Sequence, residues 1–257
     1  MVAGSGATVD VYGEPDGAAI VLVPGVMADA AAWAAVAEQL EGWPTVAVVN
    51  RRGRHPSHPL PEGYGIGTEV QDAAAVLRSF SDVRTLFGWS YGGLVALHLA
   101  NEVAVPHVVA YEPVMAPFGA EALPDLRAAH EGDDLDALVA VALQQVTGMP
   151  PDVVDRLRSQ DAVWAGMRRL GAPLYLETRA INEAPAPAEL ATEAARVDLV
   201  LGGANRGEAP YGTSFEDVVR RTPRATVHLL PGQGHLAHLQ APGELAALIS
   251  GLRGPTA

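Results

Sequence analysis

The sequence predicts an α/β fold built on a mostly parallel, doubly wound sheet that carries an inserted block of helices. Short, continuous apolar runs, typical of strands buried on both faces, alternate with helical patterns up to residue 115. The alternation stops over residues 116–193, where only helical runs occur, and then resumes. We therefore expect a core formed by residues 1–115 and 194–257 and a helical lid formed by residues 116–193.

The first part of the chain supplies most of the predicted sheet. Its first strand alternates as an edge strand does, whereas residues 18–23 form a continuous apolar run, as in a strand buried on both faces. Asp29 is a suitable N-cap for the first helix because its side chain can accept a backbone N–H. The predicted strands are residues 7–12, 18–23, 45–49, 83–87 and 107–111, and the predicted helices are residues 30–40, 68–80 and 94–100.

The second part of the chain contains the insertion and the end of the sheet. Prolines at 150, 151, 185 and 187 interrupt the helical runs of the insertion. The predicted helical runs of the insertion include residues 135–146 and 152–157; strands 197–201 and 226–230 and helices 214–221 and 243–252 follow it.

Composition excludes several classes of function. The chain has no cysteine, and its 17 basic residues are all arginine, so thiol nucleophiles and lysine Schiff bases are impossible. The net charge of −13 argues against nucleic acid as a partner. The histidines do not show metal-ligand spacing with carboxylates, and we expect neither a metal nor a cofactor. No secretory signal or membrane-length apolar run is visible, which predicts a cytoplasmic protein without a membrane partner.

The strongest motif is Gly88-Trp89-Ser90-Tyr91-Gly92, which lies between a predicted strand and a predicted helix. This is the context of a nucleophile elbow, a sharp turn that exposes a serine hydroxyl above the strand ends. Glycine flanks the serine because side chains there would collide in so tight a turn. The motif alone is weak, but its strand–turn–helix setting makes it specific, and Ser90 is the predicted nucleophile.

A second motif, Gly234-His235, follows the last predicted strand. A serine hydroxyl needs a neighbouring base to take its proton, and the carboxyl ends of parallel strands meet at one edge of a sheet. His235 is the predicted base because it lies in this loop. His238 is expected one turn later, as a capping or packing residue, and His228 lies inside the strand.

These motifs resemble those of the α/β-hydrolase superfamily, and the resemblance covers nearly the whole chain. Val23-Pro24-Gly25-Val26 is similar to the family's oxyanion loop, with Pro24 and Gly25 in place of the usual His-Gly. The segment from Asn50 to Ser57 resembles the family's Asp-x-Arg-Gly-x-Gly-x-Ser loop, with Asn50 and His55 as departures. The resemblance implies an oxyanion hole formed by the backbone N–H groups of Val26 and Tyr91.

The position of the catalytic acid departs most from the family pattern. The family usually places an aspartate after the strand that follows the lid, and this chain has Asn205 there. Some relatives instead take the acid from the end of the strand before the lid, where this chain has Glu112. We expect Glu112 to be the triad acid, with a structural carboxylate as the alternative role. Glu208 and Asn205 are the alternative positions for the acid.

The remaining candidates concern the substrate. Core packing is the alternative to a pocket role for each apolar candidate. We expect Arg51, Arg52 and Arg54 to form surface salt bridges, and recognition of an anionic substrate is the alternative. The candidate pocket residues are Met27, Trp89, Met115, Phe118 and Trp164.

The sequence thus predicts a cofactor-independent serine hydrolase that cleaves a small carboxylic ester, lactone or thioester through an acyl-enzyme. Serine rather than aspartate at the elbow favours acyl transfer. The alternative is a non-hydrolytic enzyme of secondary metabolism on the same fold, such as a cyclase, lyase or cofactor-free oxygenase. An inactive ligand receptor is a third hypothesis. The sequence does not indicate the oligomeric state.

Overall fold

A twisted sheet runs through the centre of the protein. The computed structural model describes residues 4–253, and within them the strands form one seven-stranded sheet in the order β1-β3-β2-β4-β5-β6-β7. Strand β1 pairs antiparallel with β3 at one edge, and every other pair is parallel. The strands are β1 (Thr8–Gly13), β2 (Ala19–Val23), β3 (Thr45–Asn50), β4 (Val83–Trp89), β5 (Val108–Tyr111), β6 (Val197–Gly202) and β7 (Thr226–Leu230).

Helices cover both faces of this sheet, as the continuous apolar strands require. One hydrophobic cluster joins the sheet to α2, α3 and α9, and another joins the opposite face to α1, α10 and α11. These helices are α1 (Ala34–Ala37), α2 (Ile66–Arg78), α3 (Tyr91–Leu99), α9 (Tyr211–Arg221), α10 (Ala237–Gln240) and α11 (Pro242–Gly251). The predicted doubly wound α/β sheet is confirmed.

The segment between β5 and β6 is helical, and none of residues 116–193, all of them described, belongs to a strand. Its helices have hydrophobic clusters of their own, one around Leu126 and Leu138 and one around Trp164. They are α4 (Leu123–Glu131), α5 (Leu135–Val141), α6 (Pro151–Arg158), α7 (Asp161–Gly171) and α8 (Leu174–Glu183).

Several helix ends differ from the predictions. The predicted helix 30–40 is a 3₁₀ turn, Ala30–Trp33, followed by the single turn α1. Asp29 does cap that turn, because its carboxylate accepts the N–H of Ala32 at 3.2 Å. The predicted helix 94–100 begins three residues earlier, at Tyr91, because the elbow leads directly into it. No helix in residues 4–253 is both long and apolar enough to cross a membrane.

Candidate active site

Ser90 lies at the turn between β4 and α3 in a strained backbone conformation. Its φ of 57° and ψ of −122° are costly for a residue with a side chain. The strain is held on both sides: the Ser90 N–H donates to the carbonyl of Tyr111 on β5 at 3.0 Å, and the Ser90 carbonyl accepts the N–H of Gly93 at 2.9 Å. The sequence interpretation of this segment as a sharp strand–helix turn therefore agrees with the backbone.

The loop after β2 lies against the elbow. A Cβ added to Gly25 would come within 2.7 Å of the Ser90 Cβ, so only glycine allows this approach. Among the described residues, the N–H of the next residue, Val26, has no backbone acceptor. The N–H of Tyr91, at the first position of α3, has no partner inside its own helix either. The N–H groups of Val26, next to Gly25, and of Tyr91, next to Ser90, are therefore both without a backbone acceptor among the described residues.

Glu112 follows β5, the strand beside the elbow strand, and is fully buried. Its backbone also lies in the left-handed region, with a φ of 43°. The carboxylate accepts three kinds of donor: the Gly202 N–H at 2.8 Å, the Asn205 side-chain amide at 2.9 Å to each oxygen, and the His235 Nδ1 at 2.7 Å. The structure therefore brings the predicted acid and the predicted base into direct contact.

The loop that carries His235 is fixed by two side chains from the central strands. Trp89 donates its indole N–H to the His235 carbonyl at 2.8 Å, and Tyr111 donates its hydroxyl to the Gly234 carbonyl at 2.5 Å. Tyr211 stacks on the imidazole at 3.6 Å between ring centroids, and Trp89 packs 4.8 Å from it. The ring is therefore held at its backbone, at Nδ1 and by aromatic contacts.

Burial lowers the pKa of His235 below its ordinary value, and the Glu112 carboxylate opposes this effect. A histidine with a lowered pKa is neutral at pH 7 and can accept a proton. Because an ionised carboxylate can only accept a hydrogen bond, the contact with Glu112 assigns the proton of the neutral ring to Nδ1 and the lone pair to Nε2. Among the described residues, no hydrogen bond joins the Ser90 hydroxyl to His235, a contact that commonly forms only with substrate.

The alternative acid positions have different surroundings. Asn205 lies beside Glu112 and acts as a hydrogen-bond donor to it. Glu208 is exposed, and among the described residues its side chain makes no hydrogen bond with His235. Of the three candidate positions, only Glu112 forms a hydrogen bond with the imidazole.

The candidate pocket residues do not form one cluster. Met115 and Phe118 pack in the core beside α3, and Phe118 lies 5.8 Å from the Tyr211 ring. Trp89 packs on the opposite face of the sheet. Trp164 lies inside the insertion, where Met27 packs against its cluster.

The expectation of surface salt bridges is wrong for two of the three arginines. Arg51 and Arg54 are each only 1% exposed, and both pair with Glu177 of α8. Only Arg52 is partly exposed, and it pairs with Asp72 of α2 at 2.5 Å. Sequence reasoning missed this because a charged loop residue is usually solvated, and nothing in the local sequence indicates its distant partner.

Two further histidines, His238 and His228, pack against or bind residues outside the Glu112–His235 contact. His238 stacks on Trp33 at 4.8 Å and lies among buried aromatic rings, in agreement with a packing role. His228, inside β7, contacts the Asp198 carboxylate at 2.8 Å. In residues 4–253, no group of three or more histidine, aspartate or glutamate side chains could hold a metal ion.

The roles of Tyr111, Asn205 and Tyr211 in this site could not be predicted from the sequence. Tyr111 has the pattern of an ordinary buried strand residue, and Tyr211 begins α9 in a segment without a recognisable motif. In the sequence, Asn205 indicates only the absence of the usual aspartate, although an amide is also a good donor to a carboxylate.

The chain is an α/β protein with a mostly parallel sheet, and a strained serine lies at one of its strand–helix turns, the backbone arrangement typical of a nucleophile elbow. Comparison with known proteins makes this assignment specific. The chain belongs to the α/β hydrolase family, since the family's sequence profile, described as "Alpha/beta hydrolase family", matches residues 20–248.

Solved structures agree with this assignment. An α/β hydrolase from Sphaerobacter thermophilus has a TM-score of 0.76 and 25% identity, with 95% of each chain covered. An enol-lactonase from Burkholderia xenovorans has a TM-score of 0.71 and 17% identity over 95% of this chain and 94% of its own. A thermophilic esterase from Thermogutta terrifontis has a TM-score of 0.64 and 19% identity over 95% and 91%, respectively. No curated protein matches the chain.

Proposed function

We propose that this protein is a serine hydrolase that cleaves a small carboxylic ester, lactone or thioester without a cofactor. One observation carries the proposal. A histidine, hydrogen-bonded at 2.7 Å to a buried carboxylate, follows β7, and a strained serine follows β4, at the same edge of the parallel sheet. A base oriented by an acid is the arrangement that activates a serine hydroxyl.

In the proposed mechanism, the Ser90 hydroxyl attacks the substrate carbonyl carbon while His235 Nε2 takes its proton. Glu112 stabilises the imidazolium that forms and keeps the proton on Nδ1. The N–H groups of Val26 and Tyr91 donate to the oxyanion, and each such donor contributes roughly 3–4 kcal/mol to catalysis.

Collapse of the tetrahedral intermediate breaks the bond to the leaving group, which takes the proton from His235. A water molecule, deprotonated by the same histidine, then attacks the acyl-enzyme. The second tetrahedral intermediate then breaks down, His235 returns the proton to the Ser90 oxygen, and the carboxylic acid is released. Each step uses one proton acceptor alternately as base and acid, so neither a metal nor a cofactor is needed.

We also propose that residues 116–193 act as the lid over this site. Met27, next to the proposed oxyanion donor, packs against both hydrophobic clusters of the insertion. Substrate selection would then depend on these helices. An ester-like substrate class is in keeping with the enol-lactonase and the esterase that share this fold.

A fluorophosphonate probe tests the proposal directly. We expect mass spectrometry to find the label on Ser90, and we expect Ser90→Ala to lose both labelling and at least about 10⁴-fold of the activity on p-nitrophenyl esters, lactones or thioesters. The melting temperature of the variant should stay close to that of the wild type, because alanine keeps the Cβ and the backbone conformation of Ser90 and removes only the hydroxyl. Folded wild-type protein that remains unlabelled would sink the proposal and favour the non-hydrolytic alternative.

A further inference from the structure

The buried guanidinium of Arg51 contacts the carbonyl groups of the loop that approaches Ser90. Its Nε donates to the Pro24 carbonyl at 2.8 Å, and its Nη2 donates to the Gly25 carbonyl at 2.7 Å. Both are backbone oxygens of the segment that precedes Val26. Arginine suits this task because its planar fork presents several donors at fixed angles.

The Gly25 carbonyl and the Val26 N–H belong to the same peptide unit. In a planar trans peptide, the C=O and the N–H point in opposite directions. A hydrogen bond that fixes the Gly25 oxygen therefore also fixes the direction of the Val26 N–H, which points away from Arg51. Since Gly25 lies directly against Ser90, this N–H is held at the edge of the proposed site.

The charge of Arg51 is compensated from two separate parts of the chain. Its Nη1 lies 2.8 Å from Glu69 of α2 and 2.7 Å from Glu177 of α8. Arg54 shares Glu177, and these four side chains are each at most 2% exposed. Burial alone would raise the pKa of Glu177, but Arg51 and Arg54 hold it below its ordinary value. The group is thus a balanced set of two cations and two anions.

We propose that Arg51 is a positioning residue that orients the Gly25–Val26 peptide so that its N–H serves the oxyanion hole, and that Glu177 links this orientation to helix α8 of the insertion. This inference rests on the proposed function, because it assigns Arg51 an effect on the oxyanion. If the peptide turned over, the Gly25 oxygen would face the developing negative charge, and the transition state would lose a donor.

Arg54 provides a matched control. It is as buried as Arg51 and pairs with the same carboxylate. Its Nε, however, donates to the Ala28 carbonyl at 3.2 Å, which lies outside the Gly25–Val26 peptide. Arg51→Lys and Arg54→Lys each keep the positive charge and lose the fork. Both should therefore lower the melting temperature, whereas only Arg51→Lys should impair catalysis.

We expect Arg51→Lys to lower kcat for an ester by about 10²-fold, the scale of one oxyanion donor, with KM within about threefold of the wild type. Arg54→Lys should keep kcat within about threefold. Equal losses of kcat in the two variants, or no loss in Arg51→Lys, would overturn the inference, since either result reduces Arg51 to a structural ion pair.

A second pair of variants keeps the test decisive if Arg51→Lys does not fold. Arg51→Gln combined with Glu69→Gln removes one charge of each sign, and Glu69→Gln alone is its control. We expect the double variant to lose kcat as above and the control to retain it. Equal kcat in the pair would contradict the inference.

A crystal structure of the folded Arg51 variant separates this inference from the proposed function. We expect a reoriented Gly25–Val26 peptide, and a peptide unchanged from the wild type would contradict the role of Arg51. This readout does not require activity. Wild-type protein that hydrolyses no ester would count against the proposed function, whereas the peptide orientation would still decide the role of Arg51.

Discussion

Two buried carboxylates, one directly after β5 and one within β6, contact histidine, and their surroundings differ. Glu112 contacts His235 at the carboxyl end of β5. Asp198, the second residue of β6, contacts His107 at 2.7 Å, His228 at 2.8 Å and the Arg196 guanidinium at 2.8 Å. Both carboxylates are completely buried. A buried carboxylate–imidazole pair is therefore not by itself a mark of an active site.

The difference lies in position and in backbone strain. Asp198 sits inside a regular strand, and its two oxygens are occupied by three cationic or potentially cationic partners. Burial is the largest single effect and would raise the Asp198 pKa. The hydrogen bonds from His107 and His228 and the charge of Arg196 together exceed it, so the pKa lies below its ordinary value. Glu112 instead has a left-handed backbone at a strand end, one imidazole partner and neutral amide donors. Strain at the strand ends, at both Ser90 and Glu112, distinguishes the proposed site.

Neutralising each carboxylate in turn should give the largest difference between the two clusters, because only Glu112 is expected to affect catalysis. We expect Glu112→Gln to lower kcat by about 10³–10⁴-fold, because an amide neither stabilises the imidazolium nor keeps the proton on Nδ1. Asp198→Asn should lower the melting temperature while leaving kcat within about threefold. Steady-state kinetics and thermal unfolding of both variants make the comparison. Similar kcat losses in the two would remove the distinction between the clusters.

A smaller effect should follow when the carboxylate at position 112 is replaced by one at position 205, where the family usually has its aspartate. Asn205 contacts both oxygens of Glu112 and lies 3.7 Å from the point where a Gly234 Cβ would be. We expect Asn205→Asp to restore activity to Glu112→Gln by about 10–100-fold, because the charge returns beside the His235 loop. The same substitution alone should lower activity, since two adjacent carboxylates raise each other's pKa. A double variant no better than Glu112→Gln would show that position 205 cannot supply the acid.

The smallest effect concerns His238, a histidine without a carboxylate. Its Nδ1 is buried and has no hydrogen-bond partner within the described residues, and burial, with a smaller contribution from His235, lowers its pKa to about 3. As the pH falls, His238 therefore takes up a proton at a lower pH in the folded state than in the unfolded state. Stability from this group is complete above about pH 6.5 and is lost as the pH falls from there towards 3.

Replacement of His238 by an aromatic residue tests this assignment. Between pH 6.5 and pH 4, the wild type should lose on the order of 3 kcal/mol through this group, roughly 6–12 °C in melting temperature. His238→Phe should reduce that loss while keeping the stacking on Trp33. Identical pH dependence in wild type and variant would assign the acid sensitivity to other groups.

The sequence by itself determined the sheet, the elbow and the residue types needed at the proposed site. These features are local: apolar runs specify buried strands, and a glycine–serine turn between a strand and a helix allows few conformations. Helix ends were less well predicted, as at Ala30–Trp33, because capping and 3₁₀ turns depend on a few hydrogen bonds.

Only the tertiary structure decided which side chains meet. Glu112 and His235 are 123 residues apart, and Arg54 is equally far from Glu177. No local pattern distinguishes a glutamate that contacts histidine from one that caps a loop, or a buried arginine from a solvated one. The first outcome depends on the order of the parallel strands, which brings distant strand ends together. The second depends on a buried partner of opposite charge in the helices between β5 and β6, and both are properties of the folded chain.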